Sequence, residues 1–301
     1  MKRVCAVLFS SLISVFCVAQ KSNTDNTLLW KISGNGLVRP SYIFGTIHML
    51  CKDDAILSDS LKRVIRNVKE VYFEVDLDNM FEMLGMLSKM KMRGDTTLQD
   101  LLSEADYEKV KNYFEEKGSM LPFNMLETYK PMLAASTLQQ GGLGCETTAM
   151  MEQVIMEEAK EYGKSIKGLE SMGYQASVLD SIPYKLQAEQ LVSYIENAKK
   201  GGGEDKELSD MMNAYKQQDL QKLEDMLMKS DPSISNYTDI LLYNRNQNWV
   251  NKLKNILPDK SVLIAVGAGH LPGKQGCINL LRKEGYKVTP VKNIVNRMRE
   301  I

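Results

Sequence analysis

Histidine is almost missing from this chain: only two occur in 301 residues, His48 and His270. Cysteine is also scarce, with five in all and only Cys51, Cys145 and Cys277 beyond residue 19, so at most one internal disulfide is available. Positive charge is not in excess either, since 38 basic residues face 38 acidic ones. Without a basic stripe to neutralise phosphates, nucleic acid is excluded as the expected partner. Past Val18 no apolar run approaches the roughly 20 residues that a membrane span needs. Tandem repeats, a Ser-His-Asp or Cys-His arrangement with supporting context, and a phosphate-cradling glycine loop are missing as well.

At the amino terminus, Lys2-Arg3 precedes an uncharged apolar run from Val4 to Val18, and Cys17-Val-Ala19 places small residues before Gln20. That is the layout of a cleaved secretory signal over residues 1–19, too short for a comfortable anchor. Val15-Phe16 before Cys17 is a poor lipoprotein site. Cleavage removes Lys2 and Arg3, leaving 36 basic against 38 acidic side chains. The expectation is an exported protein with no transmembrane segment after signal removal, placed in the periplasm, secreted, or held at the outer surface. Residues 20–301 then suit one large domain or a domain with a sizeable insertion.

The two ends of that domain read as alternating strand and helix, and the middle, about 78–257, reads as mainly helix. Leu28–Ser33 and Tyr42–Met49 are expected strands joined by a turn at Gly34-Asn35-Gly36. Residues 55–70 show helical spacing, with Ile56, Leu57, Leu61, Val64, Ile65 and Val68 on one face. Val71–Leu77 reads as a buried strand, so a right-handed parallel crossover brings His48 and Glu74 to one carboxyl edge. Ser261–Val266, Gly273–Glu284 and Lys287–Val291 read as strand, helix and strand, and place His270 at the same kind of edge. Ser165–Glu170 is a further candidate strand, and Gly201–Gly203 a candidate hinge. The methionine-dense stretch with Met80, Met83, Met86, Met90 and Met92 is expected to fill core, with the lining of an adaptable peptide-binding groove as the alternative. The fold class is therefore α/β (α+β): a mixed central sheet built from the N- and C-terminal parts, with a large helical middle.

Both histidines close the pattern glycine-x-x-histidine after an apolar run, as Gly45-Thr-Ile-His48 and Gly267-Ala-Gly-His270. Two imidazoles with one carboxylate, Glu74, are a sensible donor set for a divalent metal such as zinc, cobalt or manganese, and metal-activated water makes hydrolysis the natural reaction. Gly45 and Gly267 are supporting positions that permit a sharp turn or close backbone approach. Glu170, ending Lys167-Gly-Leu-Glu170, is a second candidate carboxylate, with a place beside a helix start as its structural alternative. Arg245 offers a guanidinium to clamp a substrate carboxylate or an oxyanion, with Asn246 assisting; the structural alternative is a solvated helix face. Cys51 and Cys277 follow the two histidines, and whether they pair or stay free thiols is open.

In order along the chain, Leu29-Trp-Lys-Ile, Ser41–His48, Val71-Tyr-Phe-Glu74-Val-Asp, Lys167–Glu170 with Gln175, Arg245-Asn246 with Trp249, and Val266–Gly273 resemble the TraB/GumN family, related to the Tiki metalloproteases and, more distantly, to the erythromycin esterase-like and ChaN-like proteins. The resemblance spans nearly all of the chain beyond the signal. It implies a metal-dependent, peptide-cleaving hydrolase in which His48, Glu74 and His270 hold the metal, Glu74, Arg245 and Asn246 serve catalysis, and manganese or cobalt is favoured. The expected partner is a peptide or small-molecule substrate. Two other readings stand beside it: a metal-independent esterase-like hydrolase with a histidine base, and a non-catalytic protein that binds or sequesters peptides.

Overall fold

A computed structural model describes residues 26–117, 121–138, 143, 145–199, 204–229 and 236–295. The expected signal over residues 1–19 and the Gly201–Gly203 hinge lie outside the described residues.

The centre is a six-stranded mixed sheet. Its strands are β1 (Leu29–Ser33), β2 (Ser41–Thr46), β4 (Glu70–Phe73), β6 (Ser165–Gly168), β7 (Val262–Gly267) and β8 (Lys287–Pro290), while β3 (Leu50–Cys51) and β5 (Thr148–Ala149) form a separate small ladder. The sheet order is β6-β4-β7-β2-β1-β8. The hairpin β1–β2 follows from the Gly34-Asn35-Gly36 turn, where all three residues take positive φ (76°, 46° and 78°). β2, β7, β4 and β6 run parallel, and β8 returns antiparallel to β1. Strand β7, from the far end of the chain, lies between β2 and β4. Its Val262–Val266 run is buried throughout, as a central parallel strand covered on both faces should be.

The helix expected over 55–70 is Asp59–Asn67; Ser58 caps it, its hydroxyl accepting from the Leu61 N–H at 3.0 Å. Leu61, Val64 and Ile65 face the core, whereas Ile56 lies before the cap and is exposed. Between β4 and β7 the described chain is mainly helical and builds its own apolar cluster around Leu98, Val110, Phe114, Leu126, Ala188, Leu191 and Ile195. The methionine-dense helix Met80–Leu87 corrects the core expectation in part. It packs against the Met172–Leu179 helix but leaves Met80, Phe81, Met83 and Leu84 exposed, while Met92 beyond it is buried. Among the described residues no helix is long and apolar enough to cross a membrane.

Cysteine pairing, left open by the sequence, matches neither alternative in full. Cys51 is bonded to Cys145, across 94 residues, and Cys277 is a buried free thiol. The reason is register: β3 and β5 pair Leu50 with Ala149 and Cys51 with Thr148, which brings residue 145 to Cys51.

Candidate active site

The carboxyl ends of β2, β4 and β7 share one edge of the sheet, and each leads directly into a candidate residue. β4 ends at Phe73, so Glu74 stands just beyond the strand. β7 ends at Gly267 and passes into a 3-10 turn, Ala268–His270, that carries His270. β2 ends at Thr46, two residues before His48. The helix Asn244–Ile256 lays Arg245, Asn246 and Trp249 over the same edge. It is entered through a five-residue π-helical turn, Asp239–Tyr243, a wind frequent at functional sites.

Glu74, Arg245, Glu170 and His270 form one buried cluster. Arg245 Nη2 lies 2.6 Å from Glu74 Oε2 and 2.7 Å from Glu170 Oε1, and its Nε donates to Glu170 Oε1 at 3.0 Å. Its Nη1 donates to the Leu241 carbonyl at 2.9 Å. The guanidinium is therefore spent on the protein's own acceptors, and the solvated helix face is not what the fold provides. Glu74 also accepts from the Gly267 N–H at 2.8 Å and from Gln175 Nε2 at 3.0 Å. Glu170 Oε2 accepts from Trp249 Nε1 at 2.9 Å, so its carboxylate serves the cluster, and the neighbouring Ser171 is the one that caps the next helix.

The two motif glycines act by closeness. Neither Gly45 nor Gly267 has positive φ. A Cβ on Gly45 would lie 3.0 Å from Leu271 Cδ1 and 3.1 Å from Ala268 Cα, and one on Gly267 would lie 3.2 Å from Glu74 Oε1. The sharp-turn expectation is replaced by packing of β2 on the His270 turn and by the Gly267–Glu74 bond.

The two imidazoles are held alike but housed differently. His270 is buried beneath Trp249, with ring centroids 4.5 Å apart, and its Nδ1 lies 2.6 Å from Asn246 Oδ1. Asn246 Nδ2 donates to the Gln275 carbonyl at 2.9 Å, which fixes the amide's orientation and so assigns the His270 proton to Nδ1. Its Nε2 then faces Glu74 Oε1 at 3.6 Å and Arg245 Nη1 at 3.4 Å. The His48 side chain is 66% exposed, and its Nδ1 lies 2.8 Å from Oε1 of the buried Glu152. His48 is near enough for its charge to act on Glu74 and His270, though its own bond is to Glu152.

These settings move the titrations apart. The bond to Glu152 raises His48 to about 9, whereas burial lowers His270 to about 4. Burial by itself would raise the Glu74 carboxyl, but His270, Arg245, the Gly267 N–H and His48 together outweigh it and bring the group to about 2. Glu170 is raised, because its burial outweighs the bonds from Arg245 and Trp249.

Among the described residues no three His, Cys, Asp or Glu side chains already form a metal-holding group. The donors nevertheless suit one. Each imidazole has Nδ1 engaged by a side-chain oxygen, the usual second contact of a metal-ligating histidine, so Nε2 is the atom that would meet a ligand; on His270 a cation there would replace the 3.4 Å contact with Arg245 Nη1. His270 Nε2 and Glu74 Oε1, at 3.6 Å, are too far apart for a hydrogen bond. Two ligands with bonds of about 2.0–2.2 Å to one tetrahedral ion lie about 3.5 Å apart.

Sequence reasoning overlooked Glu152 and Thr46, whose hydroxyl donates to the same Glu152 oxygen at 2.6 Å. Glu152 sits in the acidic helix Met151–Glu161, where nothing in the local pattern separates it from solvated glutamates.

A family model described as the TraB/PrgY/gumN family matches residues 28–290. The chain is similar to metalloprotease TIKI2 of Danio rerio, 24% identical over 87% of this chain and 60% of the relative. It is similar also to metalloprotease TIKI1 of Homo sapiens, 23% identical over 87% and 61% respectively. A third relative is the uncharacterized protein YbaP of Escherichia coli (strain K12), 25% identical over 81% of this chain and 88% of that one. This chain thus spans about three fifths of the length of those two TIKI relatives. No solved structure matches.

Proposed function

The chain belongs to the TraB/PrgY/gumN family, and we propose that it is an exported metal-dependent hydrolase acting on peptides. The observation that carries the reading is the placement of His270, its Nδ1 2.6 Å from Asn246 Oδ1 and its Nε2 3.6 Å from Glu74 Oε1. His270, Glu74 and His48 would hold a divalent cation, as the relatives' name of metalloprotease suggests; manganese or cobalt is the preference that the family resemblance implies. When bound, the cation supplies Lewis-acid polarisation of a carbonyl and acidification of water.

The chain's own residues have distinct tasks. Glu74, held at about 2, is a stable anion and a poor proton acceptor, so it serves as ligand and charge. Arg245 keeps Glu74 ionised and oriented and ties it to Glu170, so its main task is to position the carboxylates; its remaining Nη1 hydrogen faces His270 Nε2 at 3.4 Å. Asn246 fixes the His270 tautomer.

A metal-independent hydrolase with a histidine base is the alternative. The test is metal analysis of the purified exported protein, followed by hydrolysis of a peptide library with and without a chelator. Co-purified or restorable manganese or cobalt with chelator-sensitive cleavage is expected; cleavage indifferent to chelation overturns the proposal.

A further inference from the structure

We propose that Glu152 is the positioning residue of His48, fixing the imidazole so that Nε2 is presented to the sheet edge. Glu152 Oε1 takes two bonds, from His48 Nδ1 at 2.8 Å and from Thr46 Oγ1 at 2.6 Å. Thr46 ends β2, so the oxygen that holds the imidazole is itself held by the strand that delivers it. A framework around the pair fixes the approach of the two segments. The β3–β5 ladder, the Met151 N–H to Ile47 carbonyl bond at 3.3 Å, the Lys52 N–H to Thr147 carbonyl bond at 3.0 Å and the Cys51–Cys145 disulfide all join the chain around His48 to the start of the Glu152 helix.

The asymmetry of the pair argues for orientation over stability. Glu152 is 5% exposed and its Oε2 is buried with no hydrogen-bond partner among the described residues, while the His48 side chain is 66% exposed. Burying a carboxylate oxygen without a donor is unfavourable, and a surface ion pair recovers little. A carboxylate placed at that cost to grip an exposed ring is explained by the geometry it imposes. The same device, in neutral form, holds His270 through Asn246.

The inference uses the metallohydrolase reading only for its main readout, manganese affinity of the full-length exported protein measured by calorimetry and electron paramagnetic resonance. Glu152→Ala should weaken Mn2+ binding by about 10–100-fold, the usual effect of losing an outer partner of a ligand. Glu152→Gln keeps an oxygen that accepts from Nδ1–H and should recover most of that loss. In a His48→Ala background, Glu152→Ala should add nothing, because its effect passes through His48. A Gln variant as weak as the Ala variant would make the charge itself the agent, and additive losses would make Glu152 independent of His48; either result overturns the proposal. Should Glu152→Ala fail to fold, Thr46→Val removes the second grip on Oε1 and should weaken affinity in the same direction, with no change counting against the idea. If the wild type binds no manganese, the proposed function fails separately. Crystal structures of wild type and Glu152→Gln or Glu152→Ala then decide this point: a His48 ring that turns in the Ala variant alone supports positioning, and one that stays put refutes it.

Discussion

The two glycine-x-x-histidine segments are nearly the same in sequence and nearly opposite in setting. His48 stands 66% exposed, gripped by a buried carboxylate and raised to about 9; His270 lies buried under Trp249, gripped by an amide and lowered to about 4. The cysteine near each repeats the contrast, Cys51 being crosslinked to Cys145 and Cys277 remaining a buried thiol. A local motif therefore sets where an imidazole leaves a strand, and the helix packed against it sets its charge. The charged partner suits an exposed ring, whose ion can be solvated. The neutral partner suits a buried ring, beside an Arg245 that already supplies the local positive charge.

That comparison is broken most severely by Arg245→Ala, which leaves two buried carboxylates, Glu74 and Glu170, without their cation. A loss of about 3–5 kcal/mol in denaturant unfolding is expected. A variant as stable as wild type would show that the cluster is not the electrostatic core of the His270 side. On the His48 side the comparable constraint is covalent. Cys145→Ser should cost about 2–4 kcal/mol under oxidising conditions, and the difference from wild type should vanish in reductant.

Replacing each histidine sharpens the contrast. His270→Ala leaves the buried Asn246 oxygen with only the weak Cys277 thiol donor at 3.5 Å and should destabilise by about 1–3 kcal/mol. His48→Ala leaves the buried Glu152 carboxylate with Thr46 as its one hydrogen-bond donor among the described residues and should also destabilise, by an amount that shrinks as pH rises through 9, where the His48 charge is itself lost; both variants lose metal affinity. A His48→Ala loss that does not shrink with rising pH would erase the distinction.

The smallest effect is the pH dependence, and the two rings contribute with opposite sign. His48, raised in the folded state from 6.5 to about 9, gives stability that is complete below 6.5 and lost as pH rises through 9. His270, lowered from 6.5 to about 4, gives stability that is complete above 6.5 and eroded as pH falls toward 4. With only two histidines, untagged protein should show two imidazole proton resonances by nuclear magnetic resonance, titrating on opposite sides of neutrality. Coincident midpoints would contradict both environments.

Much of the sheet was legible because its signals are local. Gly34-Asn35-Gly36 specified the first hairpin, and the apolar runs ending at Phe73 and Gly267 specified β4 and β7. Boundaries moved where a cap decided them, as when Ser58 began the helix four residues after the periodic pattern. The insertion of β7 between β2 and β4 was not legible, since parallel pairing over some 200 residues leaves no mark in either strand. Glu152 was missed for the same reason: its meeting with His48 is created by the β3–β5 ladder, a contact about 100 residues long in sequence. The exposed Met80–Leu87 face was misread because a methionine stripe looks alike whether or not another element covers it.

By itself the sequence determined which atoms stand just past strand ends, an imidazole after each glycine motif and a carboxylate after Phe73, and which stand side by side on a helix, the guanidinium and the amide at 245 and 246. Those placements follow from the pleat and the turn, which a few neighbouring residues control. Only the tertiary structure decided which of them meet, which are buried and which carry charge. Burial and pairing depend on distant segments: the Asn244–Ile256 helix closing over His270, and the Met151–Glu161 helix bringing Glu152 against His48. A histidine's titration is set by the dielectric and charges around it, and no short stretch of chain contains those.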